Sequence, residues 1–257
     1  MLDMFIRYLR CVRGAVVLCV LTGTIIISGF GSICILADEG HDPLKIILSM
    51  RDRYENIENY TAVMVKGEPA LNKKKPPEQI YVKFKKPFSV YLKWFDAPCK
   101  DREVLYIADQ NNDCIFVRPE GLFGFLIRCL KLPSTFKRKD SRHTLKDFGI
   151  GNLIEDIIDV TLDAKRNNVL DLRYKGIVTR NGREVFHLER FLPKEDYMFP
   201  RVIFYIDTKT YLPLEVYAYN KKGKLSEYCL FLDLVLNPQL SEEEFSVDND
   251  EYGFSYL

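Results

Sequence analysis

Residues 80–94 read Ile-Tyr-Val-Lys-Phe-Lys-Lys-Pro-Phe-Ser-Val-Tyr-Leu-Lys-Trp, and this stretch decides the fold class. Large apolar side chains occupy every second position on either side of Pro87, with lysine, tyrosine and serine between them. Such alternation over a few residues is typical of a strand that is buried on one face. The stretch therefore predicts two neighbouring strands of an antiparallel meander with one apolar face and one polar face.

The same alternation recurs along most of the chain, separated by turn signals such as Asn181-Gly182. Further strands are predicted over residues 60–66, 103–108, 114–118, 169–179, 183–191, 201–207, 214–220 and 224–236. Apolar residues at a spacing near 3.6 predict a helix that follows Asp42 and ends near residues 56–59, and a second helix over residues 144–165. We expect an α+β fold, in which one strongly curved antiparallel sheet of about ten strands forms a half-open β-barrel with helices packed on its concave side.

The first 37 residues have the pattern of an export leader. Three arginines precede residues 14–37, which contain no charged side chain. A basic stretch followed by a long apolar run is typical of a signal peptide, here with a cleavage site after Ala37. As a helix, this run would be about 36 Å long, which also suffices for an uncleaved membrane anchor. Both interpretations place residues 38–257 outside the cytoplasm as a single domain, either free in the periplasm or anchored to the inner membrane.

Charge and composition narrow the class of protein. The chain has 37 Lys and Arg residues and 36 Asp and Glu residues, so its formal net charge is +1. This balance argues against a nucleic-acid partner, since nucleic-acid-binding domains usually carry a basic excess. Aromatic residues make up 13% of the chain, and many of them fall on the predicted strands. Two interpretations of these aromatic residues stay open, which are core packing and the lining of an apolar cavity.

Four cysteines follow the leader, at positions 99, 114, 129 and 229. In the predicted meander, Cys99 and Cys114 lie at opposite ends of one strand, about 23 Å apart. A disulfide requires Cα atoms within about 7 Å, so these two cysteines are not expected to pair. Other pairings, and free thiols at all four positions, stay open.

The sequence offers little for catalysis or for metal binding. The chain has three histidines, and its cysteines and histidines do not follow zinc-ligand spacing, so we expect no metal site and no cofactor. His187 shares a predicted strand face with Glu189, which is the arrangement of a couple for proton transfer or of a hydrogen-bonded strand histidine. We favour the second interpretation, and we expect a protein without catalytic residues.

Several stretches of the chain together resemble a family of exported bacterial proteins that is defined as a domain of unknown function. They are residues 82–94, 102–106, 141–143, 149–153, 244–245 and 248–254. The family is similar in fold to the periplasmic lipoprotein carrier LolA and its receptor LolB, which have a half-open antiparallel barrel that is capped by helices and holds acyl chains. The resemblance therefore implies a half-barrel with a hydrophobic mouth, and it brings no catalytic residues.

Two hypotheses about function follow. The first is a binding module of the cell envelope that holds a lipid or the acyl group of a lipoprotein against the apolar face of the sheet. The residues predicted for this face are Phe84, Val90, Leu92, Trp94, Phe204, Val216 and Leu230, and those predicted for a lid are Leu122, Phe123, Phe125, Leu126 and Ile127. The second is a membrane-anchored structural protein that binds an inner-membrane or envelope protein and has no lipid ligand.

Overall fold

This computed structural model describes residues 41–69, 76–108, 114–121, 127–131 and 148–254. Within these ranges the chain forms two α-helices, eleven strands and one short 3-10 helix. The elements are α1 Pro43–Glu55, β1 Asn59–Gly67, β2 Glu78–Lys85, β3 Ser89–Trp94, β4 Glu103–Tyr106, β5 Cys114–Arg118, β6 Arg128–Lys131, α2 Ile150–Arg166, β7 Asp171–Arg180, β8 Arg183–Phe191, β9 Arg201–Asp207, β10 Pro213–Tyr219, β11 Leu225–Leu236 and the 3-10 helix Glu242–Phe245. The leader predicted for residues 1–37 lies outside the described residues and stays a prediction.

The eleven strands form one antiparallel sheet in the order β6-β5-β4-β3-β2-β1-β11-β10-β9-β8-β7. From β1 to β6, strands that are consecutive in the chain are neighbours in the sheet, and the same holds from β7 to β11. We call these two meanders the N-terminal half and the C-terminal half of the sheet. The first strand of one half pairs with the last strand of the other, β1 with β11, which makes the sheet continuous. Because β6 and β7 are its two separate edges, the sheet is open, and the predicted fold class is confirmed.

The two helices begin in different ways. At α1 the predicted start after Asp42 is confirmed, and the Asp42 carboxylate caps the helix by accepting hydrogen bonds from the backbone N–H groups of Leu44 and Lys45 at 2.9 and 3.4 Å. At α2 the predicted start is wrong, because the helix begins at Ile150 and the backbone of Gly149 has a φ of 107°. Glycine has no side chain to cap a helix. The hydroxyl of Tyr60 on β1 accepts the hydrogen bond from the N–H of Ile150 at 3.1 Å instead.

Both helices pack on one face of the sheet, which we call the inner face. Arg51 on α1 forms an ion pair with Glu155 on α2, with Nε 2.9 Å from Oε1, and so joins the helices. Arg190 on β8 is buried below α2, where its Nη1 donates to the carbonyl of Ile157 and to the hydroxyl of Thr161. The start of α2 thus contacts the N-terminal half through Tyr60, and its middle lies on the C-terminal half.

The other face of the sheet, the outer face, is covered in the N-terminal half by residues 238–254, which we call the C-terminal strap. The ring of Tyr252 stacks on that of Tyr91 of β3 with 3.8 Å between centroids, and the N–H of Gly253 donates to Oε2 of the buried Glu103 at 2.8 Å. Lys83 of β2 forms an ion pair with Glu244. These contacts enclose a second hydrophobic core, which consists of Tyr91, Leu105, Ile107, Phe245, Tyr252 and Phe254.

The edge strand β6 was not predicted. It has only four residues, and Arg128 and Cys129 are exposed, so it carries no alternating pattern. A disulfide between Cys114 of β5 and Cys129 of β6 joins this edge to its neighbour.

Cys99 and Cys229 are free thiols, so the prediction that Cys99 and Cys114 do not pair is confirmed.

Candidate functional site

A cavity of about 460 Å³ lies on the inner face of the sheet, between strands of both halves and the start of α2. Its sheet wall combines alternate residues of neighbouring strands, which the register brings side by side. Ile80 pairs with Met64 on one side and with Trp94 on the other, and Met64 pairs with Phe231 across the junction of the two halves. The apolar lining consists of Met64, Ile80, Leu92, Trp94, Val104, Ile115, Val117, Pro119, Phe148, Leu153, Val216, Ala218 and Phe231. The volume falls in the range of about 300–1,000 Å³ that is typical of small-ligand sites.

One end of the cavity lies where β1, β3, β5 and β10 end and where β2, β4 and β11 begin, and this end is polar. Arg102 forms a bidentate ion pair with Glu120, with nitrogen–oxygen distances of 2.8 and 2.7 Å. The same guanidinium group lies 5.7 Å from the ring centroid of Trp94, and the Trp94 Nε1 donates to the buried Glu78 at 3.0 Å. Lys66 lies 3.9 Å from that carboxylate. Polar contacts therefore hold the Nε1 edge of the Trp94 indole, while the indole itself lines the cavity.

The opposite end of the cavity lies beneath the start of α2. Phe148 and Leu153 contribute apolar side chains there, and Gly149 lies against the rings of Tyr60 and Phe84. A Cβ atom at position 149 would lie 3.2 Å from the Tyr60 hydroxyl, and its positive φ also favours glycine. Asp156, one turn further along α2, is the exposed carboxylate of this wall. The start of α2 thus lies close to β1 and β2 at this end of the cavity.

The free thiol of Cys229 also lines the cavity, beside Val216 and Lys66 in the register of the sheet. Burial raises the pKa of this thiol to about 12. A thiol with such a pKa is protonated at neutral pH and behaves as a small apolar group. Cys229 therefore contributes to the apolar wall and offers no thiolate for chemistry.

The structure places the seven predicted binding residues in three groups. Leu92, Trp94 and Val216 line the cavity. Phe84, Val90 and Phe204 belong to the main hydrophobic core on the same face, where other side chains and α2 cover them. Leu230 pairs with Val65 and Glu215 and lies on the outer face, one position away from the lining residues Cys229 and Phe231. In the described part of the chain, Phe84, Val90, Phe204 and Leu230 therefore do not line this cavity.

Sequence reasoning did not identify most of the lining residues. β11 carries apolar side chains at successive positions from Leu230 to Leu232, so alternation along this strand alone does not say which set faces inward. The spacing of Glu227, Cys229 and Phe231 marks the inner face once β1 is placed beside β11. Of the predicted lid, Leu122, Phe123, Phe125 and Leu126 lie outside the described residues. Ile127 packs at the margin of the second hydrophobic core.

The His187–Glu189 couple lies on the outer face of the sheet, because both residues alternate with the buried inner-face residue Leu188. The imidazole Nε2 is 3.5 Å from the Glu189 carboxylate, and the ring lies 4.8 Å from that of Tyr205. Burial lowers the pKa of His187 and outweighs the nearby carboxylate, so the imidazole is neutral at pH 7. The couple does not line the cavity.

The described ranges lack two kinds of feature. No group of three or more His, Cys, Asp or Glu side chains is arranged there to hold a metal ion. Neither helix found there combines the length and the hydrophobicity that a bilayer-spanning segment requires.

An open antiparallel sheet with two helices on its inner face and an apolar cavity beside them defines a half-barrel class of protein. Residues 57–254 match the family described as protein of unknown function DUF1571, and the chain belongs to this family. No curated protein shows significant sequence similarity to the chain.

Several solved structures resemble the chain at low sequence identity. In the complex structure of MucA and MucB from Pseudomonas aeruginosa, the matching chain is 17% identical to this chain, with a TM-score of 0.47. The match covers 80% of this chain and 61% of the matching chain. The lipoprotein LppX of Mycobacterium tuberculosis is 12% identical, with a TM-score of 0.44 and coverages of 77% and 97%. A LolA superfamily protein from Nitrosomonas europaea is 10% identical, with a TM-score of 0.36 and coverages of 78% and 97%.

Proposed function

We propose that this protein binds the acyl chain of a lipid or of a lipoprotein in the cavity on the inner face of its sheet, and that it does so without catalysis. The observation that carries the proposal is the cavity itself, whose volume is about 460 Å³ and whose wall is mainly apolar, with charged side chains at one end and the exposed Asp156 on α2. A ligand that fits such a wall is a hydrocarbon chain, since each buried methylene contributes about 0.8 kcal/mol without any polar contact. Lipids and acylated proteins are the partners that carry such chains.

Among the described residues, the cavity lining also offers no arrangement for catalysis. The His187–Glu189 couple lies on the other face of the sheet, and the thiol of Cys229 is protonated at neutral pH. Trp94 and Arg102 form hydrogen bonds with Glu78 and Glu120, which places them in ordered polar contacts at the polar end of the cavity. These groups suit the holding of an amphiphile more than the transformation of one.

We place the protein in the cell envelope, as a single domain over residues 38–257 that follows the leader. The basic and apolar leader supports this placement, and so does the Cys114–Cys129 disulfide, because disulfides form and persist in oxidising compartments outside the cytoplasm. Sequencing the N-terminus of the mature protein distinguishes a free periplasmic carrier from an anchored protein. A chain that begins near Asp38 is the expected result for the carrier, and a retained leader would mean an anchored binder.

The binding proposal can be tested through the intrinsic fluorescence of Trp94, which is the single tryptophan of the chain and lines the cavity. The protein is recovered from an exporting bacterial host, stripped of bound lipid, and titrated with an eighteen-carbon lysophospholipid. We expect a saturable change in fluorescence and a complex of the matching mass in native mass spectrometry. A fluorescence and a mass that stay unchanged throughout the titration would overturn the proposal and favour an interaction protein without a lipid ligand.

A matched pair of variants assigns this binding to the cavity. Val216→Phe introduces a larger side chain into the cavity, whereas Leu230→Phe makes a comparable change on the outer face of the neighbouring strand. We expect the first variant to weaken lysophospholipid binding at least tenfold and the second to bind like the unmodified protein. Equal effects of the two variants would place the ligand elsewhere.

A further inference from the structure

The cavity is asymmetric along the direction of the strands. Except for Asp156, its charged lining residues cluster at the end of the cavity near Trp94, the last residue of β3. These residues are Lys66, Glu68, Arg102, Glu120 and Glu227. Its other end, beneath the start of α2, is formed by Phe148, Gly149 and Leu153 above the core residues Tyr60 and Phe84. An amphiphile therefore meets a polar environment at one end of the cavity and an apolar environment at the other.

The volume of the cavity limits how much hydrocarbon it holds. An apolar protein cavity of about 150 Å³ accommodates one benzene molecule, which has six carbons. The cavity of about 460 Å³ is roughly three times as large. By this proportion it holds on the order of 18 carbon atoms, which corresponds to one long acyl chain and not to two or three.

We infer that the cavity holds one acyl chain of up to about 18 carbons, with its methyl end beneath the start of α2 and its polar head beside Trp94 and Arg102. This inference rests on the proposed function and adds the number, length and direction of the chain. A lipid or lipoprotein with several chains would then be held by one of them.

The direction follows from the cost of burying polar groups. The head group of any acyl lipid carries ester, amide or charged atoms, and these atoms are costly to bury without hydrogen bonds. At the Trp94 end, the side chains of Lys66, Arg102 and Glu120 are 29%, 18% and 36% exposed, so water and hydrogen-bonding groups are both available there. At the other end, Phe148 and Leu153 lie above the fully buried Tyr60, whose hydroxyl already accepts a hydrogen bond from Ile150, and the charged Asp156 is exposed to solvent. The methyl end of the chain is the part of the ligand that suits that environment.

Bromine quenching of Trp94 tests the direction. Two eighteen-carbon lysophospholipids are compared, one brominated near its ester and the other near its methyl end, because bromine quenches tryptophan fluorescence only at short range. Native mass spectrometry first verifies that each lipid binds. We expect the lipid brominated near its ester to quench Trp94 several-fold more strongly. Equal quenching, or stronger quenching by the other lipid, would overturn the inferred direction while the proposed function stands.

A series of lysophospholipids of increasing chain length tests the number and the length of chains. We expect one molecule per protein, and an affinity that rises by up to about fourfold per added methylene until about eighteen carbons and then levels off. Two bound molecules, or an affinity that keeps rising to twenty-four carbons, would overturn the inferred capacity. A failure of every length to bind would instead overturn the proposed function.

The Val216→Phe variant sharpens this test, because a phenylalanine side chain has four more carbons than a valine side chain. We expect its affinity series to level off about four carbons earlier than that of the unmodified protein. The Leu230→Phe variant on the outer face should level off at the original length. An unshifted series for Val216→Phe, with normal folding and one bound molecule, would contradict the inferred position of the chain.

Discussion

The two halves of the sheet differ in how their two faces are covered. In the C-terminal half, the helices cover the inner face, where Arg190 and Phe204 are buried, while Tyr205 and Tyr217 are half-buried on the outer face. In the N-terminal half, the C-terminal strap covers the outer face, and Tyr91 stacks there on Tyr252. Its inner face lines the cavity beside the start of α2.

This difference explains why an open apolar cavity coexists with a stable sheet. An antiparallel sheet is stable when one face is packed, and the other face is then free for another role. In the N-terminal half the strap supplies the packed face, so residues such as Leu92 and Val117 on the opposite face are available to a ligand. The strap thus supports the cavity wall from behind.

The largest expected effect comes from removing a buried ring of the strap. Phe254 is fully buried against the outer face of the N-terminal half, whereas Ile177, at the edge of the C-terminal half, is 46% exposed. We expect Phe254→Ala to lower the free energy of unfolding by about 3–5 kcal/mol, and Ile177→Ala by less than about 1 kcal/mol. Urea unfolding of both variants measures the two losses. Similar losses in the two variants would mean that the strap does not pack against the N-terminal half as closely as the burial of Phe254 implies.

The two edges of the sheet provide the next test. The Cys114–Cys129 disulfide joins β6 to β5 and closes a loop with a sequence separation of 15 residues, whereas β7 at the other edge has a bulge near Gly176. A loop of this length contributes about 3 kcal/mol of stability by restricting the unfolded chain. We expect a reducing agent to lower the urea midpoint by a corresponding amount. A double serine variant of these cysteines serves as the control, and its midpoint should not respond to the reducing agent.

The smallest expected effect tests Tyr60, which connects α2 to the N-terminal half. Its hydroxyl accepts the hydrogen bond from Ile150, and burial raises its pKa well above the usual value. Tyr60→Phe should lower the free energy of unfolding by about 1 kcal/mol at pH 8, because the N–H of Ile150 loses its acceptor.

The same variant has a predicted pH dependence. A raised pKa in the folded state stabilises the protein below the pKa of the unfolded chain, near 10, and this stabilisation is lost as the pH rises above that value. At pH 11 the ionisation of this tyrosine in the unfolded chain should lower the free energy of unfolding of the unmodified protein by about 1.4 kcal/mol. Tyr60→Phe has no ionisable group at this position and does not undergo this loss. In urea unfolding at pH 11, Tyr60→Phe should therefore be as stable as the unmodified protein or more stable, by up to about 0.4 kcal/mol. Phe84→Leu, which alters the ring stacked on Tyr60, is the control and should show the same loss at both values of pH.

Much of the fold could be predicted from the sequence because it depends on local patterns. Alternation along residues 80–94 marks β2 and β3, and Asp42 marks the start of α1. The separation of Cys99 from Cys114 followed from strand length alone. Features that depend on distant contacts were predicted less well. The start of α2 was placed too early, and the edge strand β6, which a disulfide holds to β5, was missed.

The candidate site was predicted in part for the same reason. Leu92, Trp94 and Val216 were placed at the cavity because their strands alternate clearly. Leu230 was placed on the wrong face for this cavity, since β11 is apolar at consecutive positions and its register shifts between Leu232 and Val235. Only the pairing with β1 and β10 decides which of its side chains face inward.

By itself, the sequence determined that this protein is an antiparallel sheet with amphipathic helices, because a strand's period of two and a helix's period of 3.6 are properties of neighbouring residues. It also determined the near-neutral charge and the run of residues 14–37 without charged side chains, which follows three arginines. Only the tertiary structure decided which face each half exposes, because that depends on where α2 and the C-terminal strap pack. Those contacts join residues more than a hundred positions apart, such as Lys83 and Glu244, and no local pattern encodes them.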